Sequence, residues 1–494
     1  MNILVIDVGT SSMRGVLFDE KGNSLLKRQV KYYSRRLSGM WIEQPAEEFY
    51  QALLDITIWI GAQAAGQTLD VDVVAVTAQR SSVIPVDADK DALMPAIMWQ
   101  DSRNTRIAER LAQANDTIFQ SSGAGVNTVF SGSKMAWIKE EYPEIYQKAY
   151  KLVNIPEYLI CRMTGEFDTD YTYGSRSNLM NIRSRSWDSE LLDIFGIGVD
   201  KLCTLNQPGS ILGEITPIFA RESGLKAGTL VVSAGGDQQC AAIGQGVFRE
   251  GTLSIVTGTG AFLVSSCEKL PDVLDPRLIY NCSSAPDSYI LETGVLTCCS
   301  AFDWFCDNFY DEAERYDRID QELEQLYETE VEGMVLPYFQ GRSFSGWDSK
   351  AKALFANITL STSRGELLKA LVEGVLLEIQ NNMEVFRQYV DVSQAHISGG
   401  LTNSRIINQM QADIYGIPLH HLENSESTAL GALMVTLAGL GVYETVAEAF
   451  EQARGQDRKE IYHPNPEKTK QYQEKRMQMN KLYETVYSQN RGED

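Results

Sequence analysis

Asp7 and Asp237 are the carboxylates of this chain best suited to chemistry on a phosphate, because each lies where an apolar run meets a glycine turn. Asp7 ends the strand-like run Ile3–Ile6 and precedes Val8-Gly9-Thr10-Ser11. A glycine in such a turn lets the backbone approach a ligand closely, and successive N–H groups form an anion-binding concavity. The same device recurs at Leu253 to Val264, around Thr257-Gly258-Thr259-Gly260, without a carboxylate before its Gly-Thr. Two copies suggest a duplicated architecture that grips a polyphosphate from both sides. A carboxylate at Asp7 is costly unless it is paired or holds a cation. It reads as metal-associated, with Mg²⁺ the best fit, or as a turn cap. At Asp237 the run Thr229–Ser233 ends in Ala234-Gly235-Gly236, which exposes the carboxylate just before an Ala-rich helix. That placement suits a general base acting on a hydroxyl nucleophile, and equally a helix N-cap.

Ser398-Gly399-Gly400 follows a strand, and a helix begins shortly after Asn403. The paired glycines leave room for a flat purine, or make a plain strand-to-helix turn. Neither a GxGxxG fingerprint nor a GxxxxGK[ST] loop is present, so a nucleotide site here belongs to neither of those types. Gln79-Arg80 and Trp99-Gln100-Asp101-Ser102-Arg103 fall at strand ends, the edge where α/β domains gather their ligands. Arg80 and Asp101 offer charge-assisted hydrogen bonds to hydroxyls, and Trp99 a flat wall for C–H faces, which is the chemistry of polyol recognition. An Arg80–Asp101 salt bridge and a core position for Trp99 are the structural alternatives.

The elements that must position these groups alternate between strand and helix. Strands are expected at Ile3–Ile6, Gly15–Phe18, Val71–Thr77, Ile84–Val86, Ala96–Trp99 and Thr229–Ser233, with a hairpin turn at 20–23. Helices are expected from Ala46 to Ala65, Asn104 to Ala114 and Lys134 to Glu141. The stretch from Thr169 to Asn178 reads as a polar, aromatic loop. The pattern restarts near Gly244–Gly251, which places a domain boundary there, giving domains 1–246 and 247–494. The second half carries helices from Gly365 to Tyr389, about Ser404 to Tyr415, Ser427 to Leu440 and from about Pro466.

At 494 residues the chain is long enough for two cores. Its net charge of −22 argues against nucleic acid and against an anionic membrane surface. Eight scattered cysteines without C-x-x-C spacing, and four histidines, form no His/Cys metal pattern and read as free thiols of a cytoplasmic protein. No basic leader precedes the first strand, and the apolar stretch from Ser427 to Val442 is too short to span a bilayer comfortably.

Taken together, these residues make the chain resemble the FGGY carbohydrate kinases, which include glycerol, xylulose, ribulose, gluconate and erythritol kinases. The resemblance rests on Asp7-Val-Gly-Thr-Ser-Ser12, Gly39-Met-Trp-Ile-Glu-Gln-Pro45, Trp99 to Arg103, Gly235-Gly-Asp-Gln-Gln239, Gly258-Thr-Gly260, Gly399-Gly400 and Ser427-Thr-Ala-Leu-Gly431. Val129 to Glu141 looks like the family's first signature and Gly365 to Glu378 like its second. The resemblance implies an α/β fold of two actin/hexokinase/Hsp70 (ribonuclease H-like) domains with an interdomain cleft. It also implies ATP and Mg²⁺ as cofactors and a small sugar as partner, in a homo-oligomer such as a dimer. Asp237 matches the catalytic base and Asp7, with Asp237, the metal-associated pair. Gly9, Thr10, Ser11, Arg14, Thr259 and Gly260 match the phosphate-binding positions, and Gly399, Gly400 and Asn403 the adenosine-contacting turn. Arg80, Ser81, Trp99, Gln100, Asp101, Asp237, Gln238 and Phe262 match the sugar site. Two positions depart from the glycerol kinase pattern: Ser81 stands where a Glu is carried, and Val129 where a Tyr is. Smaller side chains there leave room for an acceptor longer than glycerol, a ketose, polyol or aldonate of xylulose-like size. The run Ala78-Gln-Arg-Ser-Ser82 also differs from the Gly-Gln-Met-His-Gly of xylulose kinases. On the same fold, an acceptor-independent nucleotide-switch ATPase or a sugar sensor is the alternative.

Overall fold

A computed structural model describes residues 1–37, 39–311, 315–343, 348–422, 426–455, 457 and 459–487. The chain forms two compact units. The first is Met1–Phe248 with Cys267–Ile290 and Ser425–Gln456; the second is Arg249–Ser266 with Leu291–Asn424 and Asp457–Asp494.

The first unit is built on a six-stranded sheet. Its strands are β1 (Asn2–Val8), β2 (Ser12–Asp19), β3 (Ser24–Lys31), β4 (Val73–Ala78), β5 (Ile211–Glu214) and β6 (Leu230–Gly236), in the order β5-β6-β4-β1-β2-β3. β1, β2 and β3 form an antiparallel meander, whereas β4 runs parallel to β1 and β6 parallel to β4. The apolar run in β1 has no polar face because both sides of the sheet are covered. Leu4 and Ile6 pack with Phe49, Leu53, Ile56 and Ile60 of the helix Ala46–Gly66. Ile3 and Val5 point the other way, into a cluster with Leu430, Leu433, Met434 and Leu437 of the helix Ser427–Gly439.

That second layer comes from far along the chain. The helix Ser427–Gly439 returns to cover the first unit's sheet, and its small residues let it approach the helix Asp237–Gly244 closely. A Cβ on Gly431 would lie 1.8 Å from the Cys240 carbonyl oxygen.

In the second unit, β7 (Gly251–Thr257), β8 (Ala261–Cys267), β9 (Tyr289–Val295), β10 (Val392–Gly399), β11 (Leu419–Leu422) and β12 (Lys459–Tyr462) run in the order β9-β8-β7-β10-β11-β12. β7 and β8 are antiparallel, β10 is parallel to β7 and β11 to β10, and β12 closes the edge antiparallel. This repeats the first unit's order of hairpin, parallel crossovers and antiparallel edge, so the duplication read from the two Gly-Thr turns extends to the sheets.

The expected helices and strands form within a few residues of their predicted bounds. The exception is 169–178, which is not merely a loop: it holds a short strand, Asp168–Asp170, and one helical turn, Tyr171–Gly174, capped by the Asp170 carboxylate accepting from the Thr172 N–H. Elements of three and four residues are too short to leave a periodic signal.

Candidate active site

In the first unit, three parallel strands end side by side and deliver the chemistry. β1 ends in Asp7 and Val8, β4 is followed by Gln79 and Arg80, and β6 runs into Asp237. After β1 the chain turns at once, with the Gly9 N–H donating to the Ser12 carbonyl at 2.9 Å. The Gly9 carbonyl is pinned by the Tyr32 hydroxyl at 2.7 Å and the Gln79 amide at 3.0 Å. Ser11 is exposed at the turn, and the Thr10 hydroxyl accepts the Trp99 indole N–H at 3.0 Å.

Asp7 and Asp237 act on each other. Burial first, and the Asp237 charge second, push the Asp7 carboxyl up to about 6, while Arg14 works in the opposite sense. Arg14 is the cross-strand partner of Asp7 and donates to the Glu426 carboxylate at 2.8 Å. Burial works to raise Glu426, yet Lys27 and Arg14 hold it below its ordinary value. Glu426 was not among the expected site residues; its one sequence cue is its place just ahead of Ser427-Thr-Ala.

Asp237 opens a helix and is about a quarter exposed, with a side-chain accessibility of 26%. The Arg80 guanidinium lies 3.8 Å from its carboxylate and donates to Gln239 Oε1 at 3.0 Å. Ser81, next along, is buried in a left-handed conformation at φ 70°, rare outside glycine, and gives its hydroxyl to the Arg176 carbonyl at 3.3 Å. Trp99 is half-buried, its backbone N–H donating to the Ser82 hydroxyl, while Gln100 and Gln238 are exposed.

Asp101 lies inside the fold. Its carboxylate is fully buried and taken by the Arg103 guanidinium, at 2.8 to 3.0 Å, and by the Ile42 and Arg103 backbone N–H groups. Its ion-pair partner is therefore Arg103, not Arg80, and the short spacing of the two residues on one turn is what joins them. Arg103 in turn lies against the faces of Trp41 and Trp137. Nearby, Lys134 is a fully buried ammonium that donates to the Thr128, Val129 and Trp99 carbonyls. Burial pushes it down to about 7, against the pull of Asp101. The sequence shows Lys134 as part of an amphipathic helix and of the segment Val129 to Glu141, without a role of its own.

The second unit holds the other expected residues. Its turn after β7 leaves Gly258 and Thr259 exposed, and the Thr259 carbonyl accepts from the Cys298 N–H and the Ser300 hydroxyl at the start of the helix Cys299–Phe309. Gly260 is buried, with the Val295 carbonyl 2.4 Å from where a Cβ would stand. Gly399 ends β10 at φ 97°, and a Cβ there would meet the Thr257 carbonyl oxygen at 2.0 Å, so this turn needs glycine. Beside it opens a cavity of about 360 Å³ walled by Phe302, Ile319, Leu401 and Ile407, with Gly400 and Asn403 at its lining. Phe262 stands on β8 and is 61% exposed.

Among the described residues no cluster of three His, Cys, Asp or Glu side chains forms a metal cage, and no helix is long and apolar enough to cross a membrane.

Residues 2–244 match the N-terminal domain of the FGGY family of carbohydrate kinases, and residues 253–440 match its C-terminal domain. The chain belongs to this family and is a carbohydrate kinase, a phosphotransferase. Its relatives include a glycerol kinase of Thermococcus gammatolerans, 29% identical over 480 residues, covering 93% of this chain and 96% of that protein. A xylulose kinase of Bacillus subtilis is 26% identical over 453 residues, covering 91% and 90%. Among solved structures, a xylulose kinase from Rhodospirillum rubrum superposes with a TM-score of 0.91 at 21% identity over 99% of both chains. Plasmodium falciparum glycerol kinase with ADP gives 0.89 at 24% identity over 98% of both. At these identities the structural likeness defines the fold alone.

Proposed function

We propose that this kinase transfers the γ-phosphoryl group of ATP to a primary hydroxyl of a small ketose, polyol or aldonate, with an acceptor of xylulose-like size preferred to glycerol. The observation that carries this reading is Asp237: a partly exposed carboxylate at the end of β6, beside Arg80 and electrostatically coupled to Asp7. In phosphoryl transfer the protein chiefly positions groups and stabilises charge. Asp237 accepts the acceptor's hydroxyl proton as its oxygen attacks, and Arg80, next to it, orients a neighbouring hydroxyl. Trp99 supplies the apolar wall. Asp101, held by Arg103 inside the fold, supports the loop rather than the acceptor.

The donor set suits Mg²⁺. Two mutually repelling carboxylates, one of them raised by burial, form a site that a divalent cation relieves, and this ion typically takes one or two carboxylates together with substrate phosphates. Asp7 and Asp237 would hold it, and its charge would stabilise the transferring phosphates. Thr10, Ser11 and Arg14 are assigned to phosphate contacts, as are Thr259 and Gly260. The cavity beside Gly400 has a size that suits a purine base, with apolar walls and with Asp303, Asp320, Asn403 and Ser404 also lining it. The small, buried Ser81 and the half-buried Val129 favour an acceptor with more than three carbons. All eight cysteines are free, which fits a reducing cytoplasm.

The test is phosphorus NMR of the products formed from Mg–ATP and a panel of ketoses, polyols and aldonates. A new phosphomonoester from a five- or six-carbon acceptor, with little from glycerol, is expected. A phosphomonoester from glycerol alone would overturn the acceptor assignment, and inorganic phosphate alone the kinase reading.

A further inference from the structure

The strand that delivers Asp237 is interrupted just before it does so. Between Ser233 and Gly235 the register of β6 against β4 shifts, and Gly235 adopts φ 109°. The angle demands glycine, and a Cβ on Gly235 would stand 2.2 Å from the Ser284 hydroxyl, which would have to move. An interruption of this kind leaves backbone groups that the ladder no longer pairs.

Here the segment 170–173 takes them. The Gly236 N–H donates to the Thr172 hydroxyl oxygen at 2.9 Å. The Gly235 carbonyl accepts from the Tyr173 hydroxyl at 2.9 Å and from the Thr77 hydroxyl at 2.8 Å. Thr172 gives its own hydroxyl hydrogen to the Asp170 carboxylate, which also accepts from the Ser233 hydroxyl and, at 2.8 Å, from the Thr172 N–H. Asp170, Thr172 and Tyr173 are all buried.

We propose that Thr172 is a positioning residue for phosphoryl transfer: its hydroxyl, oriented by Asp170, fixes Gly236 and so aims the carboxylate of Asp237. The inference rests on the reading of Asp237 as the base. A hydroxyl has a single hydrogen, and committing it to a carboxylate leaves only lone pairs to meet the Gly236 N–H. The direction of the Asp170–Thr172–Gly236 chain is thus fixed. Two adjacent glycines have no side chains to hold their peptide planes, so this chain and the Tyr173 hydroxyl restrain the turn. A misplacement of about 1 Å in a catalytic group costs on the order of a hundredfold in rate.

Steady-state kinetics of the full chain with Mg–ATP and its best acceptor test this, using Thr172→Val, which deletes the hydroxyl at nearly constant volume, and Thr172→Ser, which restores it. Thr172→Val is expected to lower kcat by about 10- to 100-fold. The KM for ATP should stay within about twofold, and Thr172→Ser should recover most of the rate. A Thr172→Val kcat within about twofold of wild type, or a Thr172→Ser variant as slow as Thr172→Val, overturns the proposal. If Thr172→Val does not fold, Tyr173→Phe is read instead: a several-fold lower kcat at unchanged ATP KM supports the restrained turn, and an unchanged kcat overturns it. The wild-type chain separates the two levels. Without acceptor-dependent turnover the base assignment falls, and this inference with it. With such turnover, an unaffected Thr172→Val sinks only the role of Thr172.

Discussion

Trp99 donates its indole N–H to the Thr10 hydroxyl at 3.0 Å, joining the wall proposed for the acceptor to the first phosphate-type turn. The bond runs between loops that follow different strands, and the Gly9 carbonyl beside it is held by Tyr32 and Gln79. An acceptor that presses on Trp99 therefore also bears on the turn assigned to phosphate.

Trp99→Phe keeps the flat wall and deletes the N–H. A hydrogen bond of this type is worth about 1 kcal/mol, so kcat/KM for the acceptor is expected to fall about fivefold. The gain in ATP affinity on adding acceptor should shrink by a similar factor. Initial rates over a grid of both substrates check this.

Asp7 gives a pH signature. Its folded value of about 6 exceeds the ordinary 3.8, so between those values the folded state binds more protons than the unfolded state. The stability it contributes is fully present below the ordinary value of 3.8 and is lost as pH rises through 6, by about 3 kcal/mol at most. Asp7→Asn is expected to raise the melting temperature at pH 8 and to change it little at pH 4. Magnesium chloride should stabilise wild type at pH 8 more than Asp7→Asn, a difference readable by thermal melts without turnover.

Asp101 is predicted to matter for folding. Breaking a buried ion pair by removing one partner costs up to about 3–5 kcal/mol, and Asp101→Ala takes the bidentate partner from Arg103, leaving it only the Glu43 carboxylate at 2.7 Å. Denaturant unfolding should show that loss, with the order of preferred acceptors unchanged. A stable Asp101→Ala protein with altered acceptor preference would return Asp101 to the sugar site.

Gly399→Ala probes the second unit alone. The added Cβ meets the Thr257 carbonyl oxygen and the backbone stands at φ 97°, a strain of about 1–3 kcal/mol. Mg–ADP affinity measured by calorimetry is expected to weaken about tenfold or more, while acceptor binding stays near wild type.

Much of this was legible in the residues themselves. The β-branched runs before Asp7 and Asp237, and the glycines after them, announced strands ending in tight turns, and both form as read. The charge partner of Asp101 is harder to read, because its neighbour in space is set two residues along the same loop, where Arg103 folds back onto it. Sequence spacing alone does not say whether such an Asp faces solvent or a guanidinium. Lys134 and Thr172 escaped for a related reason: each acts through backbone groups outside its own helix, and no side-chain pattern records which carbonyl or N–H will be left over. The return of the helix Ser427–Gly439 to the first unit is a packing fact, carried by small residues whose partner surface lies almost two hundred residues earlier.

The most direct test is ADP release by the full chain with Mg–ATP across ketoses, polyols and aldonates, in wild type and Asp237→Asn. The account predicts one acceptor class that raises turnover by about a hundredfold or more, with that gain lost in Asp237→Asn. A slow rate indifferent to every acceptor and surviving Asp237→Asn would contradict it.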